Sequence, residues 1–394
     1  MVTMAEQTIS TLAPVGALLR SNATAFRDRV HEMLYARILQ SRQIFPMNAS
    51  RSHLELAPAL AWVLERTPID GEIPQGVLAR IRRLGMDHRR HGFPTSTYGQ
   101  FAEMLVIALR ELGEQSELDP ELIDAAADAF RAVGTAMTAT AYTADLAGLP
   151  AASAAQVVEV ERRTRHLSIV RLTSSTPIEY NAGQYLPMTS SYLPAIWRHV
   201  TPANPSSEYG TLELHIEVTT NGSASHLLAT PHVGDLWIFG QPRGDLTLSL
   251  EHPATIIAHR TGLAAAESLL FDAIRTKGPR PRVHLIVVAP SPGQLYDMPR
   301  LERLAKFTPW LTVTPVATSG EDPWWLSSHV SHQTKPQVGD PASYIKKTAG
   351  PQDYLVIGPT GDVVDTVHSL YDIGVEPADI WMQPYSNLST WPEP

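Results

Sequence analysis

The residues in the first half of the chain that are best suited to chemistry lie in the stretch Asp87-His88-Arg89-Arg90-His91-Gly92-Phe93. A neutral imidazole such as that of His88 is a good metal ligand, provided that a partner on its second nitrogen orients the ring. A histidine in an arginine-rich helix end can equally be an exposed residue that interacts with the helix terminus. The residues alone leave both interpretations open.

Other kinds of site find no support in the sequence. The chain has no cysteine, which excludes disulfides, thiolate catalysis and cysteine-ligated zinc or iron–sulfur sites. HExxH, Walker A, Gly-x-Ser-x-Gly and paired-carboxylate motifs are absent, and the 15 histidines are scattered without ligand spacing. A net charge of −9 without a basic block predicts no nucleic-acid partner.

No apolar run approaches the ~20 residues that a membrane helix needs, so no membrane insertion is expected. The first residues lack a basic stretch followed by a compact apolar core, the pattern of a signal peptide. We therefore expect a soluble, cytoplasmic protein.

The elements that would position these residues change character near residue 150. Before it, apolar residues recur at helical spacing in Phe101–Leu112, and residues 54–66 and 121–146 follow the same pattern. Asp119-Pro120 has the form of an N-cap followed by the first helical position. Residues 1–148 are therefore predicted to form an all-α domain, followed by a linker.

Beyond the linker, apolar residues recur at every second position. Within 212–218, apolar residues alternate with Glu213, His215 and Glu217, which predicts a strand with one face in water. Strand-like runs also occur at 157–160, 167–172 and 236–239. These short strands predict a small antiparallel β-barrel over residues 152–252.

From residue 253 onward, short buried runs alternate with helical segments. The runs are 256–258, 285–288 and 354–357, and the helical segments are 263–276, 297–307 and 361–372. That alternation predicts an α/β domain with a parallel sheet over residues 253–394, in which the polar stretch 318–352 is an insertion loop. The order of the domains suggests a cofactor domain coupled to a reductase.

The stretch around His88, with Tyr98 ten residues further on, resembles the proximal-histidine region of flavohemoglobins, in which a globin is fused to a flavin reductase. Gln43-Ile44-Phe45-Pro46 resembles the phenylalanine and proline that follow the second globin helix of that family. The resemblance implies heme b ligated by His88, with Phe45 packed on the porphyrin and Tyr98 behind the proximal histidine.

The distal side departs from the family's pattern. His31 stands where the family has a tyrosine, and the family's distal glutamine aligns near Ser52 or His53. His31 or His53 could hydrogen-bond a bound diatomic molecule, ligate the iron, or be an ordinary polar residue. Ala141 aligns with the family's glutamate that bonds the proximal histidine, and losing that carboxylate should reduce electron donation by the imidazole.

Residues 157–394 resemble the ferredoxin-reductase-like module of the same family. Tyr185 ends a Gly-Gln-Tyr turn of that module and is implied to contact the flavin. Within 197–203, the resemblance places Arg198 at the flavin phosphate and Thr201 at the isoalloxazine ring, while Val200 replaces a stacking tyrosine and His199 lies beside it. Arg198 could instead form a salt bridge at the rim of the barrel.

Two further segments complete the implied flavin site. Gly222–Ser225 stands where the family turns backbone amides and a hydroxyl, here that of Ser225, onto the pyrophosphate. Gln383-Pro384-Tyr385 stands where an acidic residue and an aromatic ring cover the flavin. Ser225 could instead cap a helix. The resemblance implies FAD, although the residues do not distinguish FAD from FMN.

The implied nicotinamide site is altered. The family's Gly-x-Gly-x-x-Pro turn, which brings dinucleotide phosphates onto a helix N-terminus, corresponds to 259–265, where Gly262 is kept but His259 and Ala265 replace the first glycine and the proline. Gly358 belongs to a second turn that is kept in part. Arg260 could supply a compensating charge or be solvated. NAD(P)H use is therefore expected to be possible but weakened.

The resemblance implies an oxidoreductase that passes electrons from NADH, NADPH or another donor through FAD to heme, where O₂ or NO binds, as in a nitric oxide dioxygenase. The altered pockets resemble those of a divergent actinobacterial subgroup of flavohemoglobins. One alternative is a degenerate cofactor-binding or sensor protein that keeps the fold without NAD(P)H-driven turnover. The clustered substitutions that favour it are Val200, His259, Ala265 and Ala141. Another is a globin-shaped domain without heme.

Overall fold

A computed structural model describes residues 11–39, 41, 54–193, 196–218, 223–323, 334–346 and 350–385. Phe45, Ser52 and His53, which carry predicted roles, lie outside the described residues. The chain consists of two compact units that divide between Ala152 and Ser153. Every described helix is too short or too polar to cross a membrane.

The first unit is helical, which confirms the predicted all-α fold. Its helices are α1 Ala13–Ser21, α2 Ala23–Arg37, α3 Leu56–Leu64, α4 Gln75–His88, α5 Ser96–Gly113 and α6 Pro120–Leu146. A single 3₁₀ turn, Arg89–His91, follows α4 and ends at Gly92, whose φ of 74° favours glycine. Asp119 is the N-cap of α6 as predicted, because its side chain accepts a hydrogen bond from the Glu121 amide at 3.0 Å.

Two helix crossings in this unit are so close that only glycine fits. A Cβ atom on Gly85 of α4 would lie 2.8 Å from the Met137 Cα atom of α6. A Cβ atom on Gly134 of α6 would lie 2.6 Å from the Ala102 Cβ atom of α5. Tight packing of this kind tolerates almost no displacement, so the end of α4, which carries His88, is held firmly against α6.

The second unit begins with an antiparallel sheet. Its strands are β1 Ser153–Thr164, β2 Leu167–Thr173, β3 Leu186–Ser190, β4 Arg198–Val200, β5 Thr211–Glu217 and β6 Leu236–Phe239, in the spatial order β4-β3-β6-β1-β2-β5. A bridge between Pro202 and Leu214 joins the segment after β4 to β5, so the sheet nearly closes. The predicted antiparallel barrel is confirmed. A short helix, α7 Ser223–Leu228, follows β5.

The rest of this unit is a parallel sheet with helices. The strands are β7 Ala254–His259, β8 Val283–Ala289, β9 Leu311–Ala317, β10 Gln337–Val338, β11 Asp353–Pro359 and β12 Ile380–Tyr385, and the helices are α8 Gly262–Arg275, α9 Met298–Phe307 and α10 Thr360–Asp372. The strand order is β10-β9-β8-β7-β11-β12. The connections run in opposite directions from the boundary between β7 and β11, and ligands of such sheets bind at that point. The predicted parallel sheet is confirmed.

The structure corrects two predictions about this unit. The polar face of β5 is not in water: His215 is only 7% exposed, because α8 and the segment before α9 cover it. Alternation separates the two faces of a strand without saying what covers each of them. The stretch 318–352 is more than an insertion loop, since it contributes the edge strand β10 and the 3₁₀ turn Pro341–Tyr344.

Candidate functional site

His88 is half-buried in the last turn of α4. Its Nδ1 atom lies 2.9 Å from the carbonyl oxygen of Leu84, one helical turn earlier. A carbonyl oxygen can only accept a hydrogen bond, so Nδ1 carries the proton and Nε2 keeps the lone pair. Since the lone pair is what coordinates a metal, this bond holds His88 in the form that a heme ligand requires.

Tyr98 of α5 is buried, and its hydroxyl group makes no hydrogen bond to a described residue. Burial raises the pKa of Tyr98 to about 12, so the phenol is protonated at neutral pH. The charges of Arg89 and Asp145 act on this hydroxyl, and the two side chains pair at 2.8 Å. The Tyr98 hydroxyl is therefore a buried hydrogen-bond donor close to Arg89, the residue that follows His88.

The distal candidate His31 is buried in α2, with its ring centroid 5.8 Å from that of Tyr35. Burial lowers the pKa of His31, so the imidazole is neutral and keeps one acceptor nitrogen. Ala141, at the place of the family's glutamate, is fully buried in α6. The nearest carboxylate further along that helix, Asp145, is bound by Arg89.

At the edge of the barrel, the rings of Tyr185 and His199 lie 4.8 Å apart between centroids, tilted by 42°. Arg198 of β4 is exposed; its guanidinium donates to the carbonyl oxygen of Trp197 at 2.9 Å and forms no ion pair with a described acidic residue. An exposed arginine without a carboxylate partner is well suited to bind a phosphate. The rim salt bridge that was the alternative for Arg198 is therefore not seen among these residues.

Thr201 and Tyr385 come together although they are far apart in the sequence. Burial raises the pKa of Tyr385 to about 12, and the neighbouring side chains of Thr201 and Gln383 partly offset that rise. Gly244, which the sequence analysis missed, has φ of 87°, and a Cβ atom there would lie 3.1 Å from the Tyr185 ring. Residues from four separate segments thus meet at one edge of the second unit, which we call the flavin edge. They are Tyr185, the group Arg198, His199 and Thr201, then Gly244, and finally Gln383 with Tyr385.

Val200 and Ser225, the two other residues discussed for the flavin site, are both placed by the structure. Val200 points into the barrel core and is 8% exposed, so it presents no ring to a ligand. Ser225 lies inside the short helix α7, which begins at Ser223. Ser225 is therefore not the N-cap of that helix.

The two glycine-containing turns of the α/β half meet between β7 and β11. A Cβ atom on Gly262 would overlap the carbonyl oxygen of Ile357, and one on Gly358 would lie 2.6 Å from the His259 Cβ atom. Both positions need glycine because the backbones pack directly on each other. We call residues 259–262 the nicotinamide turn.

Both basic residues of the nicotinamide turn are bonded to other side chains of the protein. His259 is buried with Nε2 2.8 Å from the Thr366 Oγ1 atom, and burial lowers the pKa of His259 to about 4. Arg260 has φ of 52°, a conformation that costs about 1 kcal/mol or more in a residue with a side chain. Its guanidinium donates to both oxygens of Glu217 at 2.5 and 3.0 Å. Arg260 is thus half-buried, and its charge is paired with Glu217.

The sequence analysis also missed a buried cluster on the covered face of β5. Glu213 and His215 of β5 face Glu267 of α8, and the Arg300 guanidinium of α9 lies 2.8 Å from Glu213 and 3.5 Å from Glu267. Burial raises the pKa of Glu267 to about 7. The Glu-x-His spacing on one strand was a visible signal, but Glu267 lies in a buried helix and only the fold brings it to the strand.

Comparisons with known proteins agree with this architecture. Residues 154–248 match the family model of the oxidoreductase FAD-binding domain. The chain is 28% identical over 213 residues to the phenol hydroxylase P5 protein of Acinetobacter pittii, covering 52% of this chain and 57% of that protein. The chain spans about half the length of the curated relatives it matches. Residues 154–248 thus match an FAD-binding oxidoreductase domain, and the unit that begins at Ser153 is similar to ferredoxin-reductase-like proteins.

Two solved structures extend the comparison. The flavohemoglobin from Malassezia yamatoensis with bound FAD and heme superposes with a TM-score of 0.67 at 18% identity, covering 96% of this chain and all of that one. The flavohem-like FAD/NAD-binding domain of nitric oxide dioxygenase from Vibrio cholerae gives a TM-score of 0.50 at 16% identity, covering 59% of this chain and 98% of that one. These likenesses show the fold, and at that level they confirm the resemblance to flavohemoglobins.

Proposed function

We propose that the chain is a flavohemoglobin-like oxidoreductase, in which electrons from a reduced donor pass by way of FAD to heme that binds O₂ or NO. The observation that carries the heme half is the hydrogen bond from His88 Nδ1 to the Leu84 carbonyl oxygen. It prepares Nε2 as a ligand, and the buried hydroxyl of Tyr98 adds a donor nearby. The expected activity on this basis is that of a nitric oxide dioxygenase.

The match to the FAD-binding domain family supports the flavin half. When bound, FAD accepts a hydride and releases single electrons, and heme offers an iron for a diatomic ligand. The residues of this chain would hold and orient the flavin. Arg198 offers an exposed cation for its phosphate, and Thr201 and Tyr385 supply hydroxyl groups at the flavin edge. The ring of Tyr185 with that of His199 provides an aromatic surface where Val200 does not.

The charges around the nicotinamide turn bear on the identity of the electron donor. The nicotinamide turn keeps its close backbone packing but gives its guanidinium to Glu217, so it presents little positive charge to a dinucleotide. Asp362 and Asp365 of α10 lie near His259 and would repel phosphate further. We infer that NADH or NADPH binds poorly, and that another reduced donor can take its place.

The same observation favours a second candidate function. A protein whose nicotinamide turn is closed by its own ion pair could bind heme or flavin as a sensor without steady turnover. The buried, neutral His259 and the Arg260–Glu217 pair are the features that support this alternative. The two functions differ in one measurable property, the rate at which NADH or NADPH reduces the bound flavin.

The absorption spectrum of the full chain, produced with heme and flavin precursors, tests the proposal. We expect a Soret band together with flavin absorbance. His88→Ala should abolish the Soret band and keep the flavin, whereas His91→Ala, whose ring lies 5.6 Å from that of His88, should keep both. A Soret band that survives His88→Ala, or a protein that stays colourless after reconstitution with heme and FAD, would contradict the heme assignment.

Anaerobic addition of NADH or NADPH then separates the two functions. Rapid bleaching of the flavin supports an oxidoreductase driven by nicotinamide. If NADH or NADPH bleaches the flavin slowly, but dithionite reduces it fully and electrons then reach the heme, the result supports an oxidoreductase with another donor. If the flavin is reduced but the heme is not, the result supports the sensor function.

A further inference from the structure

We propose that Glu267, His215 and Tyr296 form a buried proton switch in the second unit, in which the proton on Glu267 decides whether the Tyr296 hydroxyl supports the nicotinamide turn. The three side chains come from α8, β5 and the segment before α9. They follow one another in space and end at the carbonyl oxygen of Arg260. The proposal rests on this geometry and does not depend on bound heme, flavin or nicotinamide.

The Tyr296 hydroxyl is the part of the switch that has two arrangements. Its oxygen lies 2.9 Å from the His215 Nδ1 atom and 3.4 Å from the Arg260 carbonyl oxygen. The hydroxyl has one hydrogen, so it donates to Nδ1 when that atom is bare and to the carbonyl oxygen when Nδ1 carries the ring proton. Burial raises the pKa of Tyr296 well above its ordinary value, so the hydroxyl keeps its hydrogen in both arrangements.

Glu267 controls the tautomer from the other side of the imidazole ring. The Nε2 atom of His215 lies 4.0 Å from a Glu267 oxygen, and both side chains are fully buried. Neither Nε2 nor either Glu267 oxygen makes a hydrogen bond to a described residue, so an approach of about 1 Å would give both groups a partner. A protonated Glu267 then donates to Nε2 and leaves the ring proton on Nδ1, whereas an ionised Glu267 accepts from Nε2.

The two states of the switch differ by one proton. In the protonated state, Glu267 donates to Nε2, Nδ1 donates to the Tyr296 oxygen, and the Tyr296 hydroxyl donates to the Arg260 carbonyl oxygen. In the ionised state, the remaining imidazole proton is on Nε2 and the hydroxyl donates to Nδ1. The Arg260 carbonyl oxygen then keeps only the amide of Leu263, which lies 3.2 Å away. When the proton leaves, the nicotinamide turn therefore loses one of the two hydrogen bonds at this oxygen.

The charges that face Glu267 place this change near neutral pH. Burial raises the pKa of Glu267 to about 7, and the carboxylates of Asp297 and Glu213 add to the rise. His215 and the Arg300 guanidinium act in the opposite direction. Arg300 lies 3.5 Å from Glu267 but 2.8 Å from Glu213, so its closer pair is with Glu213. Both forms of Glu267 are therefore populated at pH 7.

Urea unfolding as a function of pH tests the proton on Glu267. Its folded-state pKa lies above the ordinary value of 4.5, so folding favours the protonated form. The stability that this form contributes is fully present below pH 4.5 and is lost as the pH rises through 7. Glu267→Gln has the shape of the neutral acid and should keep that stability. Its unfolding constant should therefore fall roughly 100-fold relative to that of the unmodified protein between pH 4.5 and 7.

Asp272→Asn is the matched control, because it removes an exposed carboxylate from the same helix. It should follow the pH profile of the unmodified protein. If Glu267→Gln did the same, Glu267 would be ionised throughout and the switch would not exist.

Infrared difference spectra of the unmodified protein detect the same proton without relying on the folding of a variant. Exposed carboxyl groups are already ionised above about pH 6, so a protonated-carboxyl band that disappears by about pH 8 reports a buried acid. We expect one such band, and Glu267→Gln should lack it. Absence of the band from the unmodified protein, or its persistence in Glu267→Gln, would overturn the proposal.

Hydrogen exchange of the nicotinamide turn, corrected for the intrinsic effect of pH, tests the role of Tyr296. Exchange in the unmodified protein should be about 5-fold faster in the ionised state, the usual effect of one lost hydrogen bond. Glu267→Gln should exchange slowly at both pH values. Tyr296→Phe should keep the infrared band but show no change of exchange with pH. A pH-dependent exchange that persists in Tyr296→Phe would overturn the connection between Glu267 and the turn.

Discussion

The flavin edge and the nicotinamide turn belong to the same unit, and each contains an arginine beside a predicted phosphate site. Arg198 at the flavin edge is exposed and has no ion pair with a described acidic residue. Arg260 in the nicotinamide turn is held by both oxygens of Glu217. Gly262 and Gly358 keep the close backbone packing of the nicotinamide turn, so the difference shows that a turn can give its charge to an internal pair while the fold is unchanged.

The histidines of the two regions differ in the same way. His199 is exposed, and its ring lies beside that of Tyr185, where an aromatic ligand could reach both. His259 is buried and bonded to Thr366 of α10. A histidine at a predicted cofactor position can therefore either stay on the surface or be taken into the protein core.

The largest effect expected from this comparison is on acid stability. The folded-state pKa of His259 is about 4, below the ordinary value of 6.5, so folding disfavours the charged form. Its contribution is fully present above pH 6.5 and is lost as the pH falls toward 4, by about 3 kcal/mol in the free energy of unfolding. Urea unfolding should show that His259→Gln loses less stability than the unmodified protein over this range.

His368→Gln is the control for this measurement, because His368 is exposed on the same helix as Thr366. It should lose stability with falling pH as the unmodified protein does. If His259→Gln also behaved like the unmodified protein, His259 would be accessible to solvent, and the contrast with His199 would not hold.

A smaller effect is expected at the flavin edge. Arg198→Ala should weaken FAD binding roughly 30-fold, or about 2 kcal/mol, the usual worth of a charge-assisted hydrogen bond to phosphate. Equilibrium dialysis of FAD with the apoprotein measures this change. Arg162→Ala removes another exposed arginine from the barrel and should leave the affinity unchanged. Equal losses in both variants would mean that Arg198 acts only through overall charge.

The smallest effect concerns the internal ion pair. Glu217→Gln should release the Arg260 guanidinium and tighten NADPH binding about 5-fold, or about 1 kcal/mol. The double variant Glu217→Gln/Arg260→Gly should show no gain, because the released charge is then missing. Titration followed by NADPH fluorescence distinguishes the two, and an unchanged affinity in Glu217→Gln would show that the shape of the turn, rather than its charge, limits binding.

The fold could be predicted from the sequence wherever the local spacing of apolar residues agrees with the burial of those residues in the folded protein. The period-3.6 helices, the Asp119 N-cap and the buried runs of β7, β8 and β11 are of this kind. The meeting of the two glycine turns could also be predicted, since carboxyl ends of parallel strands share one edge. The roles of His31, His88 and Tyr98 at heme stay predictions, as do those of Phe45 and His53.

Contacts made by polar residues between distant segments could not be predicted. Glu267 follows a run of buried residues in α8 and is itself fully buried, although a glutamate in a helix usually faces water. Glu217 and Arg260 pair across the barrel and the α/β half, and neither has a local sequence signal for the other. The spacing of apolar residues shows which face of a helix or strand a residue occupies. Which helix or strand packs on that face depends on the whole fold.

The order of strands in the parallel sheet has a consequence for folding during synthesis. β7 lies between β8 and β11, and Ala254 of β7 pairs with Asp353 of β11, which is made only after β8, β9 and β10. At about 5–20 residues per second, the ribosome leaves one side of β7 unpaired for several seconds. That edge carries Ile256 and Ile257, which are fully buried in the finished sheet. The nascent chain is therefore most prone to aggregate just before β11 emerges.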